Sequence, residues 1–117
     1  DNLPQTEIID LLNKSKLLIH TSKFETFGLV AIEAIAMGVP VLTNNRGSLI
    51  EIIENDKNGY LSENLLDSNV NNFVLNLLND NKKFEEISSS CIEKSKKYDW
   101  KNTSKILQNI YQELVTY

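Results

Sequence analysis

The chain has 117 residues, enough for one domain with one core, and its 41% apolar and 24% charged content is that of a folded globular protein. A net charge of −4, with no dense lysine–arginine block, argues against a nucleic-acid partner. The single cysteine, Cys91, excludes an internal disulfide and fits a reducing compartment, and one histidine beside one cysteine makes a zinc cluster implausible.

In chain order, "PQTEIIDLLNKSK" predicts a short helix with Ile8, Ile9, Leu11 and Leu12 on one face and Thr6 or Gln5 near its start. Leu17 to His20 is a short apolar run that suits a buried strand, followed by a loop through Phe27. Gly28 opens an apolar helix, Gly38 stands where a terminating glycine belongs, and Pro40 to Thr43 reads as a second buried strand. A third, short helix is expected from Ser48, with Glu51 placed three residues on as in a capping box. Asn58-Gly59 predicts a turn before a brief strand, Tyr60 to Ser62.

The remainder reads as helical. Asp67 or Ser68 caps a helix bearing Val70, Phe73, Val74, Leu77 and Leu78 on one face, and another runs from about Asn81 to Lys97. The last begins near Asp99 and aligns Trp100, Thr103, Leu107, Ile110 and Leu114. Trp100, Tyr111 and Phe73 are expected in the core, and Cys91 is expected to be buried and inert.

Strands separated by helices imply right-handed parallel β-α-β units, hence an α/β fold. Three strands make a thin sheet with an unpaired edge. That edge calls for the preceding half of a larger α/β domain or for a second copy of this chain as a homodimer. No signal peptide is visible at Asp1, and no apolar run approaches the ~20 residues of a membrane span.

Two acids stand out in "FETFGLVAIEAIAMGVP": Glu25 in the loop, and Glu33 within the apolar helix. In open parallel sheets, ligands bind beyond the carboxyl ends of the strands, where the following helices begin. The first amides of the Gly28 helix have no partner within the helix and carry its positive dipole end, so they attract phosphate. Gly28, lacking a Cβ, permits close approach. Glu33 lies five residues further, roughly 7.5 Å along the axis at 1.5 Å per residue, about the step from a diphosphate to a ribose. A carboxylate there can accept both hydrogens of a ribose diol. A salt bridge or a solvent-facing position would equally satisfy a single helical acid.

The stretch "SKFETFGLVAIEAIAMGVPVLTNNRGSLIEIIENDKNGYL" resembles the donor-site segment of retaining glycosyltransferases of group 1, also called family 4, which have the GT-B fold. Glu25 and Glu33 have seven residues between them, Phe27-Gly28-Leu29 included, and Glu33-Ala34 leads to Gly38-Val39-Pro40-Val41. The likeness continues through Gly47, Glu51 and Asn58-Gly59-Tyr60-Leu61, and Lys97 to Trp100 looks like the segment before the family's terminal helix. Where the family often has Gly-Gly and a proline, this chain has Gly47-Ser48-Leu49-Ile50.

The resemblance implies a three-layer, parallel-sheet half of a Rossmann-like GT-B C-terminal domain followed by terminal helices, with residues 1–117 forming part of the nucleotide-sugar-binding domain. It implies that Glu33 holds the ribose, that Glu25 lies at the donor sugar's reacting face as the catalytic candidate, and that Phe27, Gly28 and Leu29 bind the donor through backbone amides. It implies a UDP- or GDP-sugar as donor, no cofactor or metal, and a glycan, lipid or protein acceptor held by an N-terminal domain outside this chain. The expected location is cytoplasmic, or peripheral at the inner membrane face, in a role such as polysaccharide biosynthesis. The family's usual basic clamp on the diphosphate lies upstream, so Lys23, Arg46 and His20 remain secondary candidates against solvated or structural roles. The fragment alone is expected to be inactive. The rival is a non-catalytic module of the same fold that binds nucleotide-sugars or serves assembly.

Overall fold

A computed structural model describes residues 3–24 and 26–115. The order is α1 (Gln5–Asn13), β1 (Leu18–His20), α2 (Leu29–Ala36), β2 (Val41–Asn44), α3 (Leu49–Ile52), β3 (Gly59–Ser62), α4 (Ser68–Asn79), α5 (Asn81–Ser95), a 3-10 turn at Lys96–Tyr98, and α6 (Trp100–Val115). The sheet runs β1-β2-β3, all parallel, with Leu18 beside Val41 and Val41 beside Gly59. It is the expected α/β architecture.

Alternation along the strands divides the sheet into two faces. Ile19, Leu42 and Tyr60 share one row. The Tyr60 ring meets Phe73 of α4 at a centroid distance of 5.3 Å, so α4 covers this face at β3, whereas Ile19 on edge strand β1 stays exposed. Ala31, Ala34 and Ile35 of α2, Leu49 and Ile52 of α3, and Val41 of β2 pack into the main core with Phe73, Leu77, Ile87 and Cys91.

Helix α5 seals the amino ends of the strands. Gly38 ends α2 at φ +75°, and a Cβ there would collide with Ser88 Oγ, so the turn into β2 and the close approach of α5 both require glycine. Cys91 is fully buried on α5, donates to the Asn58 carbonyl at 3.5 Å, and has its pKa pushed up to about 12 by burial. It is inert, as expected. Asn58 does more than make a turn. Its buried side chain donates to the Ile52 carbonyl at 2.9 Å and accepts from Glu54 N–H at 2.7 Å, stitching the end of α3 to the start of β3.

Helix α1 begins at Gln5, with Thr6 next, as expected; it follows Pro4, whose carbonyl accepts from Glu7 N–H and Ile8 N–H. Several local expectations are corrected. Ser48 makes no side-chain cap on α3, because it enters in the helical region (φ −65°, ψ −18°) and not in the extended region that a capping residue uses. Asp67 does cap α4, accepting from Asn69 N–H at 3.0 Å. Phe73 is core, but Trp100 is 81% exposed and Tyr111 63% exposed, because α6 buries no residue at all. Its apolar stripe forms as the periodicity predicts, without a layer among the described residues to cover it. Among the described residues, no helix is long and apolar enough to cross a membrane.

Candidate donor site

With α5 closing one end of the sheet, the carboxyl ends of β1 and β2 face the loop before α2 and the start of α3. Gly28 is the N-cap of α2 in the left-handed region, at φ +80° and ψ 38°, a conformation that penalises any side chain. It is also packed: a Cβ would lie 3.0 Å from both Ile52 Cδ1 and Leu49 Cδ2 of α3. Glycine is therefore demanded here by backbone and packing alike. The first hydrogen bond within α2 runs from Ile32 N–H to the Gly28 carbonyl at 3.0 Å. The amides of Leu29, Val30 and Ala31 consequently have no carbonyl within the helix.

The helix is less enclosed than its sequence suggests. Ala31, Ala34 and Ile35 are buried, but Leu29 is 61% exposed and Val30 42% exposed. Glu33, four residues beyond Leu29, is half-buried on this accessible side. Among the described residues it makes no ion pair; its Oε1 accepts from Gln5 Nε2 of α1 at 3.2 Å. A groove of about 350 Å³ runs beneath this pair, walled by Ile8, Leu12, Ala36 and Met37. Gln5 is thus a site neighbour that the local sequence pattern does not reveal, since it lies 28 residues from Glu33.

Phe27 is exposed at the other end of α2 and shares a cleft of about 230 Å³ with Leu29, Ile32, Lys97, Tyr98 and Trp100. The structure therefore brings the 97–100 segment to the mouth of α2, and with it a cation, Lys97, that sequence reasoning did not single out. Lys23 and Arg46 are exposed, and His20 is half-buried at the end of β1. Two hydroxyls near this rim, Thr43 Oγ1 and Ser48 Oγ, are buried with no hydrogen-bond partner among the described residues. The catalytic candidate Glu25 lies outside the described residues. Among those described, no three acidic, histidine or cysteine residues cluster as a metal site would need.

The model of the family described as glycosyl transferases group 1 matches residues 1–98. The chain belongs to that family. This glycosyl transferase chain is 30% identical over 108 residues to an uncharacterised glycosyltransferase of Methanocaldococcus jannaschii, covering 92% of this chain and 31% of that protein. It also superposes on the crystal structure of Anabaena HepE in complex with UDP, with TM-score 0.75 and 28% identity, over 97% of this chain and 31% of the other. The complex of the same Anabaena protein with UDP-glucose matches with TM-score 0.72 over 95% of this chain and 30% of that one, again at 28% identity. The chain thus spans about a third of the length of these relatives, and its fold is that of the corresponding part of a GT-B protein.

Proposed function

We propose that residues 1–117 are part of the C-terminal, nucleotide-sugar-binding domain of a retaining GT-B glycosyltransferase. The intact protein transfers a sugar, of hexosyl type, from a nucleoside diphosphate to a hydroxyl of a glycan, lipid or protein acceptor. The observation that carries the reading is the match, over nearly the whole chain, to a structure whose partner is UDP or UDP-glucose. That likeness favours a UDP-sugar over a GDP-sugar. In this reading the first-turn amides of α2 meet the diphosphate, and Glu33 accepts the pentose diol. Fixed dipoles aimed at the departing diphosphate stabilise charge that develops as the glycosidic bond breaks. Glu25 is assigned to the donor sugar's reacting face. The acceptor site belongs to a domain outside this chain, so the fragment alone does not turn over.

Calorimetry and sugar-transfer assays on the intact protein test this. UDP and UDP-glucose should bind, and Glu33→Ala should weaken both. Two hydrogen bonds to a charged acceptor contribute about 1.5–3 kcal/mol each, so the loss should be on the order of 100-fold or more. Wild-type turnover in Glu33→Ala overturns the ribose assignment. Binding of UDP without transfer of sugar to any acceptor would favour the non-catalytic module.

A further inference from the structure

We infer that Gln5 is a positioning residue for the donor. It fixes the Glu33 carboxylate in the orientation that receives the pentose diol, and this inference rests on the donor reading above. The Gln5–Glu33 hydrogen bond, 3.2 Å from Nε2 to Oε1, ties the first residue of α1 to the middle of α2 across 28 positions. The chemistry of the partner matters. A neutral amide donates one hydrogen bond and leaves the carboxylate its full charge, whereas a lysine or arginine would neutralise it and compete with incoming hydroxyls. A carboxylate offers about four acceptor positions on its two oxygens. Gln5 engages Oε1 and leaves Oε2 for the diol. The groove below carries no charged residue other than Glu33, so the amide is the only polar side chain in that lining to orient it. A free glutamate must be ordered when ligand binds; one held beforehand has already lost that freedom.

The experiment uses the intact protein and compares UDP with 2′,3′-dideoxy-UDP, which lacks the diol. Four forms are titrated: wild type, Gln5→Ala, Gln5→Glu and Glu33→Gln, with the Gln5→Ala/Glu33→Gln double variant as the cross-check. Gln5→Ala should weaken UDP about 3- to 10-fold, the size expected for ordering one long side chain on binding, and leave dideoxy-UDP unchanged. Gln5→Glu, nearly identical in shape, should weaken UDP at least as much, because it sets two carboxylates against each other. In the Glu33→Gln background, Gln5→Ala should have no further effect. Equal losses for UDP and dideoxy-UDP, a harmless Gln5→Glu, or fully additive losses in the double variant would each overturn the inference while leaving the donor reading intact. If Glu33→Gln itself binds UDP as wild type does, the donor reading fails, and this inference falls with it.

Discussion

Replacing Gly28 by alanine tests the geometry on which the donor site depends. Two costs are predicted from the structure. A side chain at φ +80° costs about 1–2 kcal/mol relative to glycine. The new Cβ also lies 3.0 Å from Ile52 Cδ1 and Leu49 Cδ2, so both methyl groups must yield by a few tenths of an ångström. Overpacking of this kind costs about 1–3 kcal/mol, and flexible side-chain ends place it at the lower limit. The sum, about 2–3 kcal/mol, should appear as a 30- to 150-fold loss of hydrogen-exchange protection in the amides of α2 in the intact protein. The two terms are separable. Ile52→Val removes Cδ1, one of the two obstructions, and relieves the packing but not the backbone. It should therefore cost less in the alanine variant than its usual ~0.5–1.5 kcal/mol in the wild type. Protection in Gly28→Ala within twofold of wild type, or strict additivity with Ile52→Val, would refute the account of Gly28 as both strained and packed.

Asn58→Ala should cost about 2–4 kcal/mol in unfolding free energy, because it leaves the Ile52 carbonyl and Glu54 N–H buried or part-buried without their partner; a melt shifted by less than ~0.5 kcal/mol would contradict that role. Glu54 bonds Lys57 at 2.8 Å and Lys94 at 2.6 Å, and these hydrogen bonds and charges hold its pKa at about 2, below the unfolded value near 4.5. The depressed value means that its contribution is complete above about pH 4.5, declines as pH falls, and is gone below about 2. Because the group is substantially exposed, the contribution is capped at about 1 kcal/mol. The stability gap between wild type and Glu54→Gln should narrow over that window, and a gap unchanged from pH 7 to pH 2.5 would refute the assignment.

Where a feature was legible in the sequence, the reason is short-range. The apolar runs that became β1 and β2 lie between punctuating residues, and Gly38 and Pro40 mark the end of α2 because their backbone limits hold in any context. What escaped is long-range. The period of α6 shows a stripe but cannot show what covers it, and among the described residues nothing buries it, so Trp100 and Tyr111 are exposed. The capping pattern at Ser48 is a local rule overridden by the path of the chain: the residue is already helical, and its hydroxyl points into the packed space near Gly28. Asn58 reads as a turn former, yet its burial comes from α5 closing over it. Gln5 carried no signal, because its meaning depends on an acid on another helix.

The placement of charge on α2 completes the physical case. An acid stabilises a helix in its first turn, where the dipole is positive, and a base stabilises the last turn. Helix α2 has neither. Its only charged residue, Glu33, sits in the middle of the helix, where the dipole offers an acid no stabilisation. No cation among the described residues offsets it; a neutral amide does what orienting there is. The first turn contains no acid of its own. In the proposed donor complex a phosphorylated pentose would set its anionic groups over Leu29 and Val30 and its diol on Glu33, supplying the first turn with negative charge that the helix itself does not carry. A helix arranged for its own stability would carry its acid in that first turn.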